Sequence, residues 1–103
     1  MARNINGQWR ITQSNGFELM FDIVQEPDGT LRGSGEIIGG RVANGRGRLD
    51  GDQFTYTVDW NNNGKGGQYT GSFDSRGHLK GTTVDLDNPS SGATWFAHGF
   101  EPT

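Results

Sequence analysis

The sequence predicts an all-β protein: an eight-stranded antiparallel up-and-down (meander) β-barrel. Turn-forming clusters recur about every ten to twelve residues, the segments between them alternate apolar and polar residues, and no window keeps a helical period before a glycine cuts it. The clusters are Asn15-Gly16, Pro27-Asp28-Gly29, Gly39-Gly40, Asp50-Gly51-Asp52, Asn61-Asn62-Asn63-Gly64, Ser75-Arg76-Gly77 and the longer Asp87-Asn88-Pro89-Ser90-Ser91-Gly92. Connections this short can join only antiparallel neighbours, which imposes the meander order.

The first strand is expected over 7–13. The second shows Phe17, Leu19, Phe21 and Ile23 on one face, with Glu18, Met20 and Asp22 on the other. Residues 30–37 oppose Leu31, Gly33, Gly35 and Ile37 to Thr30, Arg32, Ser34 and Glu36. A weaker alternation covers 41–49. In the fifth, Phe54, Tyr56, Val58 and Trp60 oppose Gln53, Thr55, Thr57 and Asp59. Further strands are expected over 67–73, 78–85 and 93–100. A sandwich satisfies the same pattern, but closure into a barrel leaves no exposed edge. Glycine favours closure: Gly33, Gly35, Gly45, Gly47, Gly71 and Gly81 share strand faces with apolar residues, where glycine marks a sharp bend or the close approach of something large. Those inward gaps are filled either by bulky aromatic rings or by a ligand.

Composition narrows the classes further. With 103 residues the chain makes one domain, 1–103. Only 30% of residues are hydrophobic and the mean hydropathy is −0.73, so the core is thin. Glycine, at 18 residues, is more than double its usual share of about 7%, yet it has no collagen period, and 11% aromatics argue against disorder. No apolar run is long enough for a membrane-spanning helix, and the N-terminus carries no secretion signal, so no membrane partner is expected. The location is either cytoplasmic or, if a signal has been removed, secreted. Without cysteine there is no disulfide, thiolate metal site or cysteine nucleophile. A net charge of −3 argues against nucleic acid as a partner, because that affinity rests on Lys and Arg neutralising phosphates. The one basic stretch, Arg41, Arg46 and Arg48, reads as a solvated face or as partners for Asp50 and Asp52.

No catalytic constellation emerges. His78 and His98 lack metal-ligand spacing, Ser90-Ser91 has no elbow or base, and Asp85 with Asp87 is a weak carboxylate pair in an acidic chain. No phosphate-cradling glycine motif follows a strand. The chain reads as a non-enzyme with no cofactor and no metal.

Several segments, in order, resemble the avidin and streptavidin family: Gly7-Gln8-Trp9 with Asn15-Gly16-Phe17, Asp28 to Ser34, Gly47-Arg48-Leu49-Asp50, Tyr56 to Asn63, Gly67-Gln68-Tyr69, and Ala93-Thr94-Trp95. The resemblance spans most of the chain, although each motif is short. It implies the eight-stranded avidin-like barrel and a homo-oligomer assembled through the last strands, with Trp95 near the contact. Trp60 and Trp95 match two tryptophans of the family's biotin box, and Trp9 matches the structural one at the barrel floor. Other positions depart from the pattern. Lys65 stands near where the family has another box tryptophan, Ile11 replaces the ureido-binding Asn, Asn15 falls on the nearby Ser, Gly35 takes the place of the ureido-binding Tyr, and the loop that closes over biotin is reduced to about Gly39-Gly40.

Aromatic walls with a few polar groups suit a small polar ligand. Trp9, Tyr56, Trp60, Tyr69 and Trp95 are core in any barrel. The ligand-binding set expected here is Thr12, Ser14, Asn15, Tyr56, Trp60, Tyr69, Thr83, Asp85 and Trp95, converging at one barrel end. A carbohydrate is the first expectation, as in a lectin, because sugar C–H faces pack on rings while hydroxyls take Asn and Asp. Altered biotin binding is the second. The third is a protein-interaction module such as a protease inhibitor, acting through Met1 to Asn6 or the loop from Asp87 to Gly92.

Overall fold

Each strand pairs antiparallel with the next in sequence: β1 (Gly7–Gln13), β2 (Glu18–Gln25), β3 (Thr30–Ile37), β4 (Val42–Asp50), β5 (Gln53–Val58), β6 (Gly67–Phe73), β7 (Leu79–Asp85) and β8 (Asn88–Ala97). β8 returns to β1 through Ile11–Ala97, Thr12–Phe96 and Gln13–Trp95, so the sheet closes into a barrel and the sandwich alternative falls. The structure is a computed structural model and describes residues 4–60, 62 and 65–98. Met1 to Arg3 of the expected N-terminal segment, most of the Asn61–Gly64 turn, and 99–100 of the expected last strand lie outside these residues.

Alternation sends every second side chain inward. At one end Ile5, Trp9, Ile23, Leu31, Leu49, Phe73 and Leu79 are buried and close the barrel. The Trp9 indole donates to the Ile5 carbonyl at 2.9 Å and meets Phe73 edge-on at 6.2 Å, while the Ile5 amide donates to Gln25 Oε1 at 2.9 Å. Ile5 therefore serves the barrel floor. That leaves the interaction-module reading without part of the segment it needed.

Across the middle run Phe21, Phe54, Tyr56, Tyr69 and Trp95, a chain of rings with centroids 4.9 to 6.0 Å apart. Such pairs add about 0.5–1.5 kcal/mol each beyond the area they bury. This cluster answers the question that glycine raised. A side chain at Gly45 would overlap the Tyr56 phenol, and one at Gly35 would lie 2.8 and 2.9 Å from the Val58 methyls. At these two positions the space glycine leaves is filled by the protein itself.

Several boundaries differ from expectation, among them the start of β7 at Leu79 instead of 78 and the end of β8 at Ala97. Phe17 stays outside β2 and is 53% exposed, because Gln13 and Phe17 close a turn, Gln13 N to Phe17 O, at 2.9 Å. β5 ends at Val58, and the Trp60 amide folds back to the Val58 carbonyl at 3.0 Å, a three-residue turn that carries the indole over the barrel mouth. β4 runs over 42–50 instead of 41–49, since Arg41 closes the preceding turn by accepting from the Ile37 amide at 2.9 Å. The expected loop from Asp87 to Gly92 is mostly strand: the chain reverses at Leu86-Asp87 and β8 begins at Asn88. Pairing jumps from Val84–Gly92 to Asp85–Asn88, so Pro89, Ser90 and Ser91 bulge out opposite β7. Proline tolerates such a place because it has no ladder hydrogen bond to lose.

Gly45→Ala is expected to lower unfolding stability by about 1–3 kcal/mol through overpacking against Tyr56. Gly40→Ala, whose added methyl would sit at an ordinary 3.5 Å from the Ile37 carbonyl, should change it by less than about 0.5 kcal/mol. Urea unfolding of both variants measures the difference.

Candidate ligand-binding site

The end opposite the Trp9 floor is open. Here β1, β3, β5 and β7 finish and β2, β4, β6 and β8 begin, and a cavity of about 270 Å³ sits above the ring cluster. At about 30 Å³ per water molecule, that is room for roughly nine waters. One wall is apolar: Phe17, Leu19, Ile37 and Trp60. The other is polar: Gln13, Asn15, Thr83, Asp85 and Ser91, with Tyr69 also in the lining.

Tyr69 is the centre of this arrangement. Its side chain is inward on β6, and its hydroxyl donates to Gln13 Oε1 at 2.5 Å. The Gln13 amide in turn donates to Asn15 Oδ1 at 3.1 Å, and that oxygen also accepts from the Phe17 amide at 3.4 Å. Burial raises the Tyr69 phenol to about 12, while hydrogen bonds from Thr83 and Trp60 pull it the other way more weakly. The Trp60 indole reaches the phenol across Gly67, where a Cβ would stand 3.1 Å from the indole nitrogen. No buried side-chain nitrogen or oxygen among the described residues lacks a partner. The cavity floor is thus a finished network, and polar capacity for a guest remains at its edge, on Asn15, Thr83 and Asp85.

β7 turns Leu79, Gly81, Thr83 and Asp85 inward, so Asp85 closes the row at the mouth. Its Oδ1 accepts from the Asp87 amide at 2.9 Å. On the other side, the Arg41 guanidinium donates to the Trp60 carbonyl at 3.0 Å. This bond ties the short β3–β4 turn to the segment that carries the indole.

Of the residues expected to bind ligand, Asn15, Trp60, Tyr69, Thr83 and Asp85 line the cavity. Thr12 and Ser14 do not. Thr12 is on the outward face of β1 and Ser14 in the turn that follows: Thr12 Oγ1 is 2.7 Å from His98 Nε2, and Ser14 Oγ accepts from the Thr94 amide at 3.1 Å. Tyr56 and Trp95 lie below the cavity in the ring cluster, with the Tyr56 hydroxyl donating to the Ser34 carbonyl at 3.0 Å and the Trp95 indole to the Thr82 carbonyl at 2.8 Å. Trp95 is only 2% exposed, so the surface aromatic on β8 is its neighbour Phe96. Gln13 went unrecognised from sequence, although the inward parity of Trp9 and Ile11 points to it. Where the family resemblance places a ureido-binding Tyr, the Gly35 position holds Val58 methyls, and Ile11 is sealed in the core.

A crystal structure of apo shwanavidin superposes with a TM-score of 0.59 over 95% of this chain and 100% of that one. The chain has an avidin-like fold. Identity to shwanavidin is 16%, so the likeness is one of architecture, and the residues of the mouth must be read on their own chemistry. No family model and no curated protein matches the sequence.

The chain has two tyrosines, and both phenols are raised by burial, Tyr56 further still with the negative charge of Asp22 adding to the effect. Folding therefore favours the protonated phenols. That stability is fully present below the ordinary value of 10.0 and is lost as pH rises towards the folded values. An alkaline titration followed by phenolate absorbance should show no step near 10, with phenolate appearing only near 12 as the near-ultraviolet circular dichroism collapses.

Proposed function

We propose that this barrel is a non-catalytic binding protein whose mouth cavity takes a compact ring-shaped organic ligand with one hydrogen-bonding edge. The observation that carries this reading is the two-sided cavity above a self-satisfied polar floor. An apolar wall of Phe17, Leu19, Ile37 and Trp60 would pack the body of the guest, and Asn15, Thr83 and Asp85 would meet its polar edge. The avidin-like fold supports the reading by analogy of architecture. Biotin, with a cyclic urea on a small bicycle, is one member of this chemical class.

The carbohydrate expectation has less to stand on. A sugar carries hydroxyls around its rim, and the Phe17–Leu19–Ile37 wall offers them no partner, while Thr12 and Ser14 face away. A homo-oligomer remains part of the proposal. Its support is an outer groove bounded by Thr12, Lys80, Thr94 and the half-exposed Phe96 on the last strands and β1.

The test is a fragment library of cyclic amides, ureas and aromatic heterocycles, with biotin and a glycan array alongside, read by melting temperature and tryptophan fluorescence. Ring compounds are expected to raise the melting temperature and to perturb the fluorescence, and Trp60→Ala should weaken them at least about ten-fold by removing the largest wall residue. A library in which nothing binds, or binding untouched by Trp60→Ala, refutes the mouth as the site. A light-scattering mass near 11.2 kDa would contradict the oligomer.

A further inference from the structure

Asp85 is the one ionisable carboxylate in the cavity lining, and no Lys, Arg or His shares that lining among the described residues. Its place follows from the strand pattern. Asp85 is the last inward residue of β7 and sits in register with Gly67 of β6, which has no side chain to cover it. The Trp60 indole passes over that same glycine, with its nitrogen and Cδ1 3.1 and 3.6 Å from where a Cβ would be. On the other side, the jump in pairing at Val84 and Asp85 pushes Pro89 to Ser91 out of the ladder, so β8 supplies no close-packed strand partner beyond Asn88. Indole and carboxylate thus both stand beside this buried glycine, and Phe17 is in the same lining. Among the described residues the only hydrogen bond to the carboxylate is from the Asp87 amide, to Oδ1. Arg41 is engaged at the Trp60 carbonyl, and Lys65 is exposed and outside the lining.

We infer that the cavity selects a cationic ligand, a small ring bearing an amidinium, guanidinium or protonated amine, with its charged N–H edge on Asp85 and its body against Trp60 and Phe17. This rests on the mouth being a ligand site, as proposed above. A carboxylate accepts charge-assisted hydrogen bonds from such an edge, and an adjacent indole face adds attraction for the same charge. An amidinium edge presents parallel donors matched to a carboxylate, which a neutral amide cannot offer twice. An anionic group at the same point meets repulsion from Asp85 with no cation in the wall to offset it. Free biotin, whose side chain ends in a carboxylate, is therefore a poorer guest than a cationic derivative of the same ring.

Benzamidine, benzamide and benzoate test this, being one shape in cationic, neutral and anionic form. Calorimetric titration should give benzamidine about ten-fold tighter than benzamide, and benzoate weakest. The benzamidine preference should shrink as salt rises, because a mouth-exposed ion pair is screened. Amide shifts on titration should centre on Gly67, Asp85 and Gly92. Asp85→Asn should erase the preference for benzamidine over benzamide, whereas Asp50→Asn, the same charge change at the closed end, should leave it intact. If Asp85→Asn does not fold, the salt dependence and the shift map in the unaltered protein decide the matter. Equal binding of the three compounds, or a benzoate preference, overturns the charge selection and leaves the cavity reading standing. Failure of all three to bind, with the fragment library also silent, removes both.

Discussion

The placement of the Tyr56 ring against Gly45 is the constraint on which the rest of the molecule depends. Because β4 has no side chain there, the phenol can lie flat within the barrel and anchor its hydroxyl on the Ser34 carbonyl. Phe21 and Phe54 then pack against it, and Tyr69 and Trp95 follow in the same chain of contacts. This plug divides the interior. Below it a Trp9-centred floor is filled, and above it a cavity opens at the mouth, where Tyr69 turns from packing to hydrogen bonding. One ring layer therefore sets both the stability of a thin-cored chain and the depth to which any guest can enter.

The architecture was legible because two physical signals agree. Strict alternation in Leu19-Phe21-Ile23 and Phe54-Tyr56-Val58 specifies which face is buried, and turn chemistry every ten to twelve residues leaves no connection long enough for anything but a meander. Strand ends were less legible. Phe17 and Trp60 continue the apolar parity of β2 and β5, yet local turn hydrogen bonds take both out of the ladder and set them at the rim. Proline, serines and glycine in 88–92 read as loop, whereas a long bulge can host all of them inside a strand.

The site was half legible. Alternation alone, carried through β1 from Trp9 and Ile11, separates Gln13 from Thr12 and Ser14; choosing residues by polarity instead put the hydroxyls of the outer face into the site. Whether the inward glycines leave space was beyond sequence reasoning, because the answer depends on which ring on a neighbouring strand leans into each gap. Gly35 and Gly45 are filled, and at Gly67 the gap is taken by the Trp60 indole and the Tyr69 ring.

Among the described residues the seam between β1 and β8 has three residue pairs, against six or seven in every other ladder. It also joins the most distant parts of the chain, so it carries the largest loop-closure entropy. Neighbouring hairpins gain their contacts locally and can form before it. Gln13 and Asn15 reach the mouth from one side of this seam and Ser91 to Ala93 from the other. The cavity is therefore complete only when this seam is closed, so the closure of the barrel and the making of its mouth are one event.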